Sequence, residues 1–339
     1  MTKTLQKKYA KNSGKIINSI IILAALIFLI SSLTPAASAN VNNDNEKPIV
    51  VATTTNLGYF ANEVGGNNIE VLNLVPAGAC PGHYDTRPTD VEAIVDADLI
   101  LWNGFEPWLM ELVESAGNRE VLMNKGPGGE WGPPPRGKLY VENITDALMQ
   151  AFPQYEESFE RRKQDLLSTI DSCAENLRTE AERENIKQVK VICQSFQKPF
   201  VQWLGFSVVK TFPSPEQISA SQTSEIINTA ENEDVALIIS NNASGTSFGE
   251  QIATETGIEH VVLGNYPGWM KGIDTYVKMV ESNAERLFMG LESYRDELGT
   301  LSNLKEELKG VKFQRNAAFV AAIIVAIVAA LEFMIIRRK

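Results

Sequence analysis

The run Leu99-Ile-Leu-Trp102, closed by Gly104, limits the folds open to this chain more than any other feature. A strand with one wet face alternates apolar and polar residues; a strand apolar throughout is buried on both faces, as in a parallel sheet. Val235–Ser240 is a similar buried run, Ile69–Val75 alternates and is β-branched, and Pro48–Thr55, Val189–Cys193, Ser207–Phe212 and His260–Leu263 read as further strands. Helical patterns separate them. Asn56 is expected to cap a helix through Val64, and Thr89 with Glu92 has the spacing of a capping box that starts a helix at Thr89. Further helices are expected over Glu106–Ala116, Val141–Gln150, Ser221–Asn232 and Ser247–Thr256, with a long closing helix over Trp269–Leu298. Parallel strands need crossover connections, which are usually helices, so this order predicts an α/β fold.

The middle of the chain divides that pattern in two. Tyr155 to about Arg183 reads as one helix with charges on most faces. A helix of that length spans ~44 Å, which suits a rigid rod between lobes. The expected architecture is two lobes, each a small parallel sheet flanked by helices, at 48–150 and 187–298. One long helix within 153–186 joins them. The stretch Lys125–Lys138 is rich in Gly and Pro and is expected to be surface loop.

Both ends carry membrane signals. Residues 1–16 contain five lysines and no acid, Ile17–Leu33 is apolar, and Ala37-Ser-Ala39 fits a cleavage site. Residues 1–39 therefore read as a secretory signal peptide, with an uncleaved anchor as the alternative. Ala317–Ile336 contains a single acid, Glu332, and precedes Arg337-Arg338-Lys339. That is the pattern of a transmembrane helix at 317–336 with a cytoplasmic C-terminus. The charged stretch at 299–316 becomes a stalk, and the region between the two segments is expected outside the cell membrane. The net charge of −11, with basic residues concentrated at the two ends, argues against a nucleic-acid partner. Three cysteines outside the cell allow one disulfide with one thiol left over. Asn143-Ile-Thr145 and Asn242-Ala-Ser244 are glycosylation sequons.

Ligands of parallel α/β sheets bind outside the carboxyl ends of the strands. His83, one of two histidines, and Cys80, one of three cysteines, lie in a loop between a strand and a helix. They read as metal ligands or as incidental loop residues. His260, at the start of a strand, reads as structural, and Cys173 on the long helix as packing or a surface thiol.

The loop, the helix after it and the next strand, with Pro81, Tyr84, Asp85, Pro88, Asp90, Ala97-Asp-Leu99 and Asn103-Gly104, resemble the substrate-binding receptors of zinc and manganese ABC transporters. Ser214-Pro-Glu-Gln217, Val141-Glu-Asn-Ile-Thr-Asp-Ala-Leu148 and Asp274-Thr-Tyr276 with Met279 and Asn283 are similar to other segments of that family, over roughly residues 48–295. The resemblance implies a divalent metal, Zn or Mn, held in a cleft between lobes that close little. It also implies ABC permease and ATPase subunits as partners, and no catalysis. The family's metal-binding positions are altered here. Two of its histidines fall on Gly82 and Gly129, the third near Cys193 or Gln194, and its acidic positions near Ser240–Asn242 and Asn265. His83, Glu130 and Cys193 each lie at or beside such a position, with Cys80 near, and they form the expected metal set. A Cys80–Cys193 disulfide, a receptor for a metal chelate or other small solute, a surface adhesin or sensor, and an enzyme using Cys193 with His83 are the alternatives.

Overall fold

In the first half of the chain, Ile49–Ala52 (β1), Glu70–Asn73 (β2), Leu99–Trp102 (β3) and Leu122–Lys125 (β4) form one parallel sheet in the order β2-β1-β3-β4. In the second half, Lys190–Gln194 (β5), Ser207–Phe212 (β6), Val235–Asn241 (β7) and Glu259–Leu263 (β8) form another, in the order β6-β5-β7-β8. The computed structural model describes residues 47–337; the expected signal segment at 1–39 lies outside them. The two-lobe α/β architecture expected from the sequence is the one observed. Both sheets step from their first strand to one side and then cross to the other. Each therefore has a switch point, between β1 and β3 and between β5 and β7, where a crevice opens.

The inner strands β1, β3, β5 and β7 are buried on both faces, the edge strands less so, and successive residues serve different cores. Val50, Ala52, Leu99 and Leu101 point one way, Val51 and Ile100 the other. In the second lobe Val191, Cys193, Leu237 and Ile239 oppose Ile192 and Ile238. The first-named side of each sheet shares a single continuous core. Thr55–Gly65 (α1), Pro134–Ala151 (α4) and Glu156–Arg183 (α5) cover it. α5 is the expected long helix, and its stripe Phe159, Leu166, Ile170, Cys173 and Leu177 lies in that core. Cys173 is thus a packing residue. Each such side chain adds roughly 1.5–3 kcal/mol of burial. A core running unbroken through both lobes resists hinge motion, because opening it would expose apolar surface.

Several local expectations are corrected. Helix α1 begins at Thr55, so Asn56 is not its cap; Asn56 is buried, and its Oδ1 accepts from Thr54 Oγ1 at 2.6 Å. Pro88–Val95 (α2) begins one residue before Thr89, and Asp90, not Glu92, supplies the returning carboxylate by accepting from Arg87 N at 2.7 Å. Proline suits the first turn of a helix, where its missing N–H costs nothing. The same rule explains α4, which opens on Pro134-Pro135 inside the stretch expected to be loop; β4, at its other end, lacked a strong apolar pattern. Leu109–Ala116 (α3) starts later than Glu106, which has another task described below.

Lys198–Leu204 (α6), Ala220–Asn232 (α7) and Ser247–Thr256 (α8) complete the second lobe. The closing helix begins at Tyr276, not Trp269, and runs to Arg337 as one element of 62 residues (α9). At ~1.5 Å per residue it is ~93 Å long. Closing helix, stalk and apolar segment, expected as separate pieces, are continuous. No proline interrupts them, and a glycine such as Gly310 costs a helix only ~1 kcal/mol. Met279, Val280, Ala284, Leu287 and Leu291 pack on the second lobe, whereas every residue described from 295 onward is exposed.

Candidate functional site

The carboxyl ends of both sheets meet at a cavity of about 260 Å³. From the first lobe, the loop after β2 contributes Cys80 and Pro81, the loop after β3 contributes Phe105, and the loop after β4 contributes Gly129 through Gly132. From the second lobe come Phe196 and Gln197 after β5, Asn241 and Ser244 at the end of β7, and Asn265 and Tyr266 after β8.

The first-lobe walls are held by buried polar contacts. Glu106 is 4% exposed. Its Oε1 accepts from Thr53 Oγ1 at 2.6 Å and from Asn103 N at 2.9 Å; its Oε2 accepts from Gly104 N and Phe105 N, both at 2.9 Å. A carboxylate that satisfies three consecutive backbone N–H groups fixes the turn that presents Phe105. The preceding loop is tied down by Trp108 Nε1, which donates to Pro81 O at 2.7 Å, and by Tyr84, whose hydroxyl donates to Asp90 at 2.8 Å. Its Pro81–His83 turn directs Cys80 and Pro81 to the cavity and leaves His83 exposed.

Trp131 bridges the lobes. Its ring lies 5.2 Å from that of Tyr266 and 6.0 Å from that of Tyr140, and its Nε1 donates to Asn265 O. The Tyr276 hydroxyl donates to Trp131 O at 2.8 Å. Gly137 permits that approach, because a Cβ there would fall 2.3 Å from the Tyr276 oxygen. The left-handed φ of +73° at Gly129 lets the chain turn into the cavity wall.

Carboxamides line the second-lobe side. Gln197 Nε2 donates to Asn265 Oδ1 at 2.6 Å. Gln194 Oε1 accepts from Asn241 N at 2.8 Å, while Gln194 Nε2 is enclosed without a partner. Asn283 pairs with both backbone groups of Gly264. Burial pushes the Tyr266 hydroxyl well above its ordinary pKa, with Cys80 and Glu106 adding to the effect, so it stays a neutral donor. Glu130 is the only charged side chain among the described residues that border the cavity.

The expected metal set is only partly brought together. Cys80 and Glu130 share the cavity wall; His83 and Cys193 do not border it. Cys193 is fully buried in the shared core, and burial pushes its free thiol up to about 12, which disfavours a nucleophilic thiolate. All three cysteines are free, so the Cys80–Cys193 disulfide alternative is not formed. His83 is exposed, whereas Cys193 is enclosed in the shared core. Among the described residues, no group of three or more His, Cys, Asp or Glu side chains is placed to hold a metal ion. His260 behaves as a structural residue: its Nε2 lies 2.9 Å from Ser240 Oγ, away from the cavity. Sequence reasoning missed Phe105, Phe196, Trp131 and Tyr266. The available signal was the placement of aromatic residues just beyond strand ends.

Comparison with known proteins agrees with this architecture. The chain is 24% identical over 304 residues to the iron-binding protein YfeA of Yersinia pestis, covering 81% of this chain and 98% of that one. It is 24% identical over 290 residues to the manganese-binding lipoprotein MntA of Halalkalibacterium halodurans, covering 78% and 96%. A periplasmic metal binding protein from Candidatus Liberibacter asiaticus has the same fold, with a TM-score of 0.64 at 20% identity over 72% of this chain and 100% of that one. The family model described as zinc-uptake complex component A, periplasmic, matches residues 50–290, and the chain belongs to that family.

Proposed function

We propose that this chain is the substrate-binding receptor of an ABC uptake transporter, working outside the cell membrane with permease and ATPase subunits. The observation that carries this reading is the cavity, walled by strand ends of both lobes in a protein of a receptor family. Loading is then a matter of entry into a nearly preformed site rather than of large closure, since Trp131 and the continuous core already join the lobes.

The apolar end of α9 is the tether. Phe319 is 70% exposed and Val325 68%, the reverse of a core helix. That end of α9 is long and apolar enough to cross a bilayer. Tethering keeps the receptor near its permease at high effective concentration. With the sequence orientation, Arg337 is cytoplasmic and the two lobes are outside.

The relatives named above point to a divalent metal, with Zn and Mn as the substrates expected for this chain. Of the four residues expected to bind it, Glu130 and Cys80 are the two that an ion in the cavity would meet. The test is deletion of the chain, with uptake of Zn, Mn, Fe, Co and Ni measured under limitation. Loss of uptake of one of them, restored by the full chain and less well by a chain ending at Leu298, is the expected result. Unimpaired uptake of all five would refute metal uptake and favour an adhesin, a sensor or a different solute.

A further inference from the structure

We propose that the interlobe cavity takes a small organic cation with an aromatic or apolar body, rather than a bare metal ion. The proposal rests on the receptor reading only for the steps after binding; binding itself is open to direct test.

Three observations carry it. The first is room. Zinc is held by N, S or O donors at ~2.0–2.3 Å, usually four of them. A cavity of about 260 Å³ bordered by one carboxylate and one thiol leaves such an ion far from most of its walls. At the ~30 Å³ share of a liquid water, the space equals roughly nine waters.

The second is the wall. Five aromatic side chains border the cavity: Phe105, Trp131, Phe196, Phe200 and Tyr266. Phe105 comes from the first lobe and Phe196 from the second, and they are 48% and 46% exposed. Two half-exposed phenyl rings on one cavity, one from each lobe, gain by covering an apolar body. Aromatic faces also attract a cation, by ~0.5–2 kcal/mol each. Glu130 supplies the one full charge, and among the described residues no Lys, Arg or His borders the cavity. An anionic solute would lose its hydration and meet only that carboxylate.

The third is the polar part of the wall. Gln197, Asn241 and Tyr266 are 2%, 1% and 4% exposed and all border the cavity. Gln197 Nε2 donates to Asn265 Oδ1 and Asn241 Oδ1 accepts from Ala243 N, and the other polar atoms of these two side chains are not among the sealed, unpaired atoms of the described residues. Carboxamide and hydroxyl groups on a cavity wall are groups that can exchange water for a ligand's polar atoms. Carboxamides and a hydroxyl grip the polar groups of an organic solute. They make a poor substitute for the imidazoles and carboxylates a transition metal prefers.

The experiment uses the full chain in detergent, followed by calorimetry and tryptophan fluorescence. The probes are benzyltrimethylammonium, the similarly shaped anion toluenesulfonate, neutral benzyl alcohol, ZnCl2 and MnCl2. The cation should bind at least about tenfold tighter than the anion or the alcohol, and quench Trp131. Glu130→Gln should weaken the cation about tenfold and leave the alcohol unchanged. Phe196→Ala should weaken both, and His83→Ala neither. Glu130 and Phe196 are partly exposed, so their variants keep the fold, which circular dichroism checks. Tight Zn or Mn binding with no cation binding overturns the proposal, as does equal binding of anion and cation or an unaffected Glu130→Gln variant. Cation binding with normal uptake of all five metals in the deletion strain would remove metal as the cargo and keep this proposal. A metal-uptake defect without cation binding would do the reverse.

Discussion

Replacing Glu106 by Gln tests how the first lobe presents its side of the cavity. The carboxylate is buried and accepts from Thr53, twice from Asn103, and from the backbone N–H groups of Gly104 and Phe105. An amide of the same shape keeps one acceptor and turns an NH2 toward the other two N–H groups. Hydrogen bonds to charged groups contribute ~1.5–3 kcal/mol each, so two are at stake. The turn ends at the half-exposed Phe105 and can open to water, which returns part of the loss. The expected destabilisation is therefore ~2–4 kcal/mol, toward the lower part of the gross sum. At ~2–4 °C per kcal/mol for a folded body of this size, the melting temperature falls by ~4–16 °C. Urea unfolding of the full chain in detergent, followed by circular dichroism, gives the free-energy difference. Exposed Glu111, changed to Gln, is the control and should stay within ~0.5 kcal/mol. A Glu106→Gln variant as stable as that control would refute the argument that this carboxylate holds the turn. Cavity ligands should also bind the Glu106→Gln variant more weakly, because Phe105 loses its anchor.

Burial holds His260 below its ordinary pKa of 6.5, opposed only by Glu250. The folded chain therefore resists protonating it; the associated stability is complete above pH 6.5 and is lost as pH falls through the lower folded value. His260→Gln should flatten the fall in urea midpoint between pH 7.5 and 5, and an unchanged slope would show that other groups dominate. Cysteine labelling tests the placement of the thiols. Burial pushes Cys173 and Cys193 up to about 12, and Cys80 is the one partly exposed. Maleimide should label Cys80 alone in the folded chain, as read by mass spectrometry, with the other two reacting only in urea. Labelling of Cys193 at the rate of Cys80 would contradict its burial in the shared core.

Much of the fold was legible because burial leaves periodic traces. Leu99–Trp102, Ser207–Phe212 and Ser247–Thr256 have the bounds their patterns predict, and α5 differs from its expected start by one residue. Elements whose cause lies elsewhere were not legible. β4, Leu-Met-Asn-Lys, is a strand because β3 lies beside it, with Leu99 opposite Leu122. α4 starts within a Gly/Pro-rich stretch because Pro134 and Pro135 occupy its first turn while Trp131, just before them, is clamped by Tyr276 and Asn265 of the other lobe.

The candidate site divides the same way. Sequence alone determined that the chain has two parallel α/β lobes, and the family resemblance implied ligand positions that fall on Gly82, Gly129, Cys193 or Gln194, Ser240–Asn242 and Asn265. Those are matters of local pattern and of register along one chain. Only tertiary structure decided which side chains share the cavity. Cys193 and Gln197 lie four residues apart, yet strand pleating and the β5–α6 turn send one into the core and the other to the cavity wall. His83 and Cys80 lie three apart, yet one turn at Pro81 leaves the first exposed and gives the second to the cavity. A site between lobes is built from residues far apart in sequence, and its composition is set by which direction each strand end faces once both lobes share one core.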